Sequence, residues 1–336
     1  MNKKRRVGIE DVAKRAGVSI TTVSRVINHV PTVSPRNQAK VEEAIAALNY
    51  EPDANAQRLA RGLNNAIGFV MPGYPGIFYS FYAVELIRGV GHACETLRLD
   101  LVFHITNGFN DLNTSSVGGI VFADIIENRR QIEAASAAGI PCMVINNIVS
   151  DMTINYIGID NVAGGRTAAD YLIQLGHKRI AIITGNLQTQ SGQHRLEGFR
   201  GRILDSFGEL SDEMCQEGDY SRRSARIATE KLLELPNPPT AIFASSDDMA
   251  LEVLAVLSER GIKVPDDISV IGFDDNPDSL YGQVSLTTIH QPLFQMAEEA
   301  VRMLNAIVLQ KEKQPFQKVL IPELVVRDSC AAPKRT

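Results

Sequence analysis

No stretch of the 336-residue chain approaches the ~18 consecutive apolar residues of a membrane span, and the basic start MNKKRR has no apolar run behind it. Neither a signal peptide nor an anchor is expected, which places the protein in the cytoplasm. Cysteine is scarce: Cys94, Cys142, Cys215 and Cys330 lie far apart, without the close spacing of a zinc or redox motif, and are expected to be reduced and mostly buried. The chain has no Gly-x-Ser-x-Gly, no His-Glu-x-x-His and no Gly-x-x-x-x-Gly-Lys-Ser/Thr, and its six histidines have no cysteine or histidine at ligand spacing. His177, in LGHKR, reads as a turn residue rather than a base. The carboxylate pairs Asp247-Asp248 and Asp274-Asp275 are adjacent in sequence, and adjacent carboxylates seldom converge on one substrate atom. No enzyme, metal or cofactor is therefore expected.

The composition, 44% hydrophobic and 22% charged, is that of a globular protein with ample core, which excludes disorder. The length predicts about two domains, with room for a smaller appendage. The net charge of -5 divides unevenly: residues 1–65 carry a net +5 and the remainder a net -10. A positive head on an acidic body predicts that the head meets a polyanion.

Residues 9–50 read as three helices. Ile9, Val12, Ala13 and Ala16 follow the i, i+3, i+4, i+7 spacing, and Gly17 is placed to end that helix in a left-handed conformation. Ser19 can cap a second helix with an apolar stripe of Val23, Val26 and Ile27, leaving Ile20, Thr21, Thr22, Ser24, Arg25 and Asn28 on other faces. Two short helices at a glycine turn make a helix-turn-helix. A third starts after Ser34-Pro35 and runs through Val41, Ala44, Ile45 and Leu48. Residues 51–65 hold a helix of about two turns, too short to persist alone.

From residue 66 short apolar runs alternate with helix-sized segments. The expected strands are 67–71, 99–105, 119–122, 142–146, 156–159, 179–184, 241–244 and 268–273, with helices such as 161–175, 193–205, 222–235 and 247–260 between them. This alternation predicts parallel sheets with helices on both faces, in two subdomains.

The stretch IEDVAKRAGVSITTVSRVIN at 9–28, then LNYEP at 48–52 and AQRLA at 56–60, resembles the DNA-binding head of the LacI/GalR transcription factors. The body agrees in GIDN (158–161), LGHKRI (175–180), RLEGF (195–199), DDMA (247–250), VPDD (264–267), IGFDD (271–275) and LTTIHQP (286–292). The resemblance implies a small all-α helix-turn-helix head at 1–50 and a hinge helix and linker at 51–65. It also implies an α/β body of two doubly wound parallel-sheet subdomains, like a periplasmic sugar-binding protein. Residues 66–160 with 292–319 would form the DNA-proximal subdomain, and 161–291 with 320–336 the distal one. Thr106 to Val117 is too short for the helix usual at that place, so one helix of the proximal subdomain is expected to be truncated or missing. The chain ends after Ala-Ala-Pro-Lys-Arg without C-terminal heptads, which favours a homodimer over a tetramer.

A helix-turn-helix sets the N-terminal residues of its second helix against base edges in the major groove. Here those are Ile20, Thr21 and Arg25; the Arg25 fork matches guanine O6 and N7, and Ile20 and the Thr21 methyl suit a thymine methyl. Ser19, Thr22, Ser24, Asn28 and Ser34 read as phosphate contacts, which fix register. In the resemblance a hinge pair opens a base step in the minor groove with a leucine, which Leu59 matches beside Ala56 and Ala60.

Ligands of open α/β sheets bind beyond the carboxyl ends of the strands. Asn146, Asp247 and Asp274 fall at such ends, and the resemblance adds Arg195, Tyr220 and Gln291, with Tyr79, Phe81 and Tyr82 as aromatic walls. Carboxylate, guanidinium and amide set against aromatic rings suit a polyol. Alternatives stand beside these roles: Asp247 as a helix cap, Tyr220 as a packed core residue, Arg195 in an ion pair. GIFYSFY at 76–82 aligns with the family's Asn-Pro-Phe-Phe segment in two registers. The function expected is a ligand-controlled transcriptional regulator, a repressor, binding a palindromic double-stranded DNA operator and a small effector, with sugar the leading class. The alternatives are control by a protein partner, a nucleobase co-repressor, or a sugar-binding protein of transport or chemotaxis. The last would have no use for residues 9–62.

Overall fold

A computed structural model describes residues 7–27, 32–48, 50, 64–73, 77–107, 111–310, 312 and 315–334. The chain forms two compact units, residues 1–65 with 97–99, and the rest of 66–336. Asn28 and the hinge residues Ala56, Leu59 and Ala60 lie outside the described residues.

The first unit is the expected helical head: α1 (Ile9–Ala16), α2 (Ile20–Ile27) and α3 (Pro35–Leu48). Gly17 ends α1 at φ 66, a left-handed value that costs a glycine nothing. Ser19 Oγ accepts the Thr22 N–H at 3.1 Å and so caps α2. Val12, Ala13, Ala16, Val23, Val26, Val41 and Ala44 close one small core, ringed by Ile9, Val18, Ile27, Val33, Ile45, Leu48 and Tyr50.

The second unit holds two parallel sheets. The first lobe is built on six strands: β1 (Ala66–Pro72), β2 (Asp100–Thr106), β3 (Gly119–Phe122), β4 (Cys142–Ile145), β5 (Asn155–Ile159) and β11 (Gln317–Leu320). Their spatial order is β11-β5-β4-β3-β1-β2. The helices of this part of the chain are α4 (Phe81–Leu97), α5 (Arg129–Ala137) and α10 (Leu293–Val308). The second lobe orders β7 (Cys215–Gln216), β6 (Ile180–Ile183), β8 (Ala241–Ala244) and β9 (Ser269–Ile271), with helices α6 (Asn161–Gln174), α7 (Gln190–Phe207), α8 (Arg222–Leu233) and α9 (Asp247–Glu259). β10 (Thr288–His290) and β12 (Glu323–Val325) pair antiparallel, and parallel bridges Ile271–Thr287 and Asp274–His290 join β10 to the β9 side. β3, β4, β5, β6 and β8 are buried at every position, as continuous apolar runs covered on both faces must be.

The expected strands are all present, trimmed or lengthened by a residue or two. The short β7, β10, β11 and β12 were not in the apolar pattern: QKVL of β11 alternates exposed and half-buried positions, because it is an edge strand. Between β2 and β3 the described residues 111–118 form no helix. Val117 is buried and Leu112 half-buried in the same apolar cluster as Val70, Ile120 and Ile132, so this short crossover covers part of the sheet itself. No helix among the described residues is long and apolar enough to cross a membrane.

Candidate functional site

In the head, burial of Val23 and Val26 turns the other side of α2 outward. Ile20 is 48% exposed, and Thr21 and Arg25 are exposed beside it; Arg25 has no hydrogen bond or ion pair with another described residue. A cation and a large apolar side chain held out in water by a small rigid unit form a surface with no structural task of its own. Ser19 and Thr22 bond to each other through their hydroxyls at 2.9 Å, Ser24 is half-buried, and Ser34 is exposed before α3.

The body carries a second constellation, at the carboxyl ends of β4, β8 and β9. Arg195 on α7 is 3% exposed; its Nε donates to Asn161 Oδ1 at 2.9 Å and its Nη1 to the Ser245 carbonyl at 2.5 Å. The guanidinium lies 3.6 Å from the centre of the Phe273 ring, and Nη1 is 3.8 Å from Asp274 Oδ1. Asp274, just past β9, accepts a hydrogen bond from Gln291 Nε2. Burial raises the Asp274 carboxyl to about 7, against the pull of Arg195.

Asp247 is fully buried: Oδ2 accepts the Asn276 N–H at 2.7 Å and Oδ1 the Thr288 hydroxyl at 2.6 Å. Burial, and then the neighbouring Asp274 charge, push its carboxyl well above the usual range. The cap of α9 is Ser246, whose hydroxyl accepts from the Met249 N–H, so Asp247 is not the cap. With both oxygens engaged, it ties the loop after β9 to the start of β10.

Arg195, Asp274, Gln291 and Asp247 thus come together. Asn146 is buried after β4, and its Oδ1, like the buried Gln291 Oε1 and Ser245 Oγ, has no hydrogen-bond partner among the described residues. Asn146, Tyr220 and Asp274 have φ of 64°, 70° and 125°, values rare outside glycine and concentrated at functional sites. Tyr220 packs at the edge of the second lobe's core and its hydroxyl lies 3.1 Å from Ser191 Oγ, so it is both a core residue and a neighbour of the start of α7. Tyr82 donates from its hydroxyl to the Ala123 carbonyl at 3.0 Å, and the half-buried Phe81 begins α4. Tyr79 stands apart, 92% exposed.

Three polar residues escaped the sequence reading. Asn161 and Ser245 meet Arg195 through the tertiary fold, Asn161 having stood in the GIDN motif without a role and Ser245 having given no signal; Asp124 gave one, since it sits two residues past β3 just as Asn146 closely follows β4. Burial raises the Asp124 carboxyl to about 6 although backbone N–H groups of Glu127 and Ile126 oppose it. A folded pKa above the unfolded 3.8 means that the folded state holds its proton longer, so the stability contribution is complete below pH 4 and is lost as pH rises to about 6. Asp124→Asn should therefore gain on the wild type by about 2–3 kcal/mol between pH 4 and pH 7. Urea unfolding of both proteins across that range checks it; parallel pH profiles would remove the burial argument.

His177 is buried, with Nδ1 2.9 Å from Thr240 Oγ1 and Nε2 2.9 Å from the Ala331 carbonyl. It ties the turn after α6 to the C-terminal segment. No group of three or more His, Cys, Asp or Glu among the described residues could hold a metal ion.

Residues 8–53 match the family model of bacterial regulatory proteins, lacI family, and residues 169–330 that of a periplasmic binding protein-like domain. The probable HTH-type transcriptional repressor ExuR of Bacillus subtilis (strain 168) is 35% identical over 331 residues, 96% of this chain and 98% of that protein. A solved transcriptional regulator CelR–cellobiose complex superposes with a TM-score of 0.73 at 30% identity, over 96% of this chain and 100% of the other. The lac repressor dimer bound to operator and the anti-inducer ONPF gives 0.69 at 28% identity, over 98% and 100%.

Proposed function

Because the chain belongs to the LacI family of bacterial regulatory proteins, and is a DNA-binding transcriptional regulator with a small-molecule effector domain, we propose that it is a homodimeric repressor whose effector is a sugar held between its two lobes. The observation that carries the effector class is the set of buried polar atoms without a partner among the described residues: Gln291 Oε1 and Ser245 Oγ on residues bonded to the Arg195–Asp274 pair, and Asn146 Oδ1 past the end of β4. Gln291 already spends its amide nitrogen on Asp274, so its oxygen faces the site as an acceptor. Buried acceptors left without donors are costly, and hydroxyl groups supply donors. Phe81 and Tyr82 would offer flat faces to the ring. Asp247 supports the site, and Tyr220 lies at its α7 rim. Isothermal titration with a sugar panel tests this: one neutral sugar should bind with a stoichiometry of one per chain, whereas binding of nucleobases alone, or of a phosphocarrier protein alone, would replace the sugar reading.

The lobes proposed are 66–160 with 292–319 and 161–291 with 320–336, with the head at 1–50 and the hinge at 51–65; β11 of the first sheet runs one residue past this boundary, to Leu320. Two heads would read the halves of a palindrome, with Ile20, Thr21 and Arg25 at base edges, Ser19, Thr22, Ser24, Asn28 and Ser34 on phosphates, and Leu59 between Ala56 and Ala60 at the minor groove. Acting on bacterial DNA, the protein works in the cytoplasm. An effector that changes the angle between lobes changes the spacing of the hinges, and a coupling of ~1–3 kcal/mol gives 5-fold to 150-fold control. Arg25→Ala should weaken the operator complex by ~1–3 kcal/mol and relax preference at one base pair, leaving binding to unrelated DNA nearly unchanged. Leu59→Ala should weaken it while the head stays folded. Anisotropy titrations on operator and scrambled DNA decide both; an equal loss on the two DNAs would move Arg25 to the phosphates.

A further inference from the structure

One side chain outside the assigned residues fastens the two lobes together. Gln190, the first residue of α7, accepts the Ile148 N–H on Oε1 at 2.8 Å and donates from Nε2 to the Ile148 carbonyl at 2.9 Å. A primary amide here pairs with both polar groups of one residue, as a neighbouring strand would.

Both ends of this bridge are anchored. Ile148 packs on the core of the six-stranded sheet. The loop carrying it is held by the Asn146 N–H, which donates to the Ile157 carbonyl at 2.8 Å, and by Asn147 Oδ1, which accepts the Ile125 N–H at 3.1 Å. On the other side Thr189 caps α7, its hydroxyl accepting from the Gly192 N–H at 3.2 Å and donating to the Asn186 carbonyl at 2.7 Å. The bridge therefore joins two rigid segments and not two loose loops. Its placement connects it to the effector residues: Ile148 lies two positions after Asn146, and Gln190 less than two turns before Arg195. The chain itself also crosses between the lobes, between β5 and α6, between β10 and α10 and between β11 and β12. Loss of one fastening thus leaves the lobes tethered and folded.

We propose that Gln190 is the clasp that holds the cleft closed and sets Asn146 of one lobe against Arg195 of the other. It is a positioning residue. Its bearing on the effector rests on the functional reading above; the closure itself does not.

The test uses the full chain without DNA or effector, so its failure and the failure of the sugar reading are distinguishable. Gln190→Met keeps the length and packing of the side chain and removes both hydrogen bonds; Gln190→Glu keeps the acceptor, loses the donor, and sets a carboxylate against the Ile148 carbonyl. Hydrogen exchange at the Ile148 amide should accelerate about tenfold or more in the Met variant, where two neutral hydrogen bonds are lost, and by a smaller but measurable factor in the Glu variant, where one is lost and replaced by repulsion. Small-angle scattering should show a larger radius of gyration. Exchange and scattering like those of the wild type in the Met variant would make Gln190 a packing residue and overturn the clasp. If the Met variant does not fold, the Glu variant decides by the same two readings.

Discussion

Arg195→Met is expected to abolish the response to effector and to destabilise the body by about 3–5 kcal/mol, the range for breaking a buried ion pair from one side. The methionine would fill much of the space, so the loss is electrostatic. The Asn161 and Ser245 acceptors would lose their donors, Phe273 its cation, and Asp274 its only close positive partner among the described residues. Asp274 would then stand buried near Asp247 with only the neutral Gln291 amide among its side-chain partners to offset its charge. The pH dependence identifies this cause. Arg195 holds the Asp274 carboxyl down; without it the folded pKa rises further above about 7. A carboxyl raised in the folded state contributes stability at low pH that is lost as pH climbs through that folded pKa. The variant's deficit should thus be larger at pH 8 than at pH 6, as urea unfolding at the two values would show. Arg195→Lys should fall between, because an ammonium restores charge without the planar fork that reaches Asn161 and Ser245 together. A pH-independent deficit would assign the loss to packing.

Gly198→Ala should be as damaging, from a single added methyl group. α6 and α7 pack backbone against backbone: a Cβ on Gly198 would overlap the Val162 carbonyl, and one on Gly165 would overlap the carbonyl of Arg195. Neither obstacle is a flexible side chain, so the helices must separate. Overpacking a tight contact costs ~1–3 kcal/mol, and here, with two backbones to move, at least about 3. The effect reaches function because α7 carries Arg195 and α6 carries its partner Asn161. Thermal unfolding should show a markedly lowered Tm, with effector affinity lost in whatever remains folded. Gly201→Ala is the control, since a Cβ there meets nothing within 4 Å: it should leave effector affinity unchanged and the Tm at or slightly above that of the wild type. A wild-type Tm for Gly198→Ala would mean that the helices have slack.

These two sites show where the sequence was legible. The parallel strands were readable because β3, β4, β6 and β8 are apolar runs, and the head because Val12, Ala13 and Ala16, then Val23 and Val26, then Val41 and Ala44 keep helical spacing within each helix. Arg195 was named only through family resemblance, since an arginine on a polar helix gives no sign of being 3% exposed. Its partners Asn161 and Ser245 are 34 and 50 positions away and meet it only through tertiary packing. For Asp247 the sequence offered an effector-binding role with a helix cap as the alternative; Ser246 takes the cap, and Asp247 braces Asn276 and Thr288. Tyr79 follows from motif alignment alone, and the fold leaves it in solvent. The short crossover before β3 was legible by its length, but its replacement by Val117 and Leu112 was not.

The central claim is that one chain reads a specific DNA and answers to a small ligand. Fluorescence anisotropy of the full chain on DNA from upstream of its own gene, at several salt concentrations and with a sugar panel, tests both halves together. The expected result is a complex that outlasts competitor DNA, weakens steeply with salt, and is shifted by one sugar in the wild type but not in Arg195→Met. Binding with no preference over competitor at any salt, unmoved by every sugar, would contradict it.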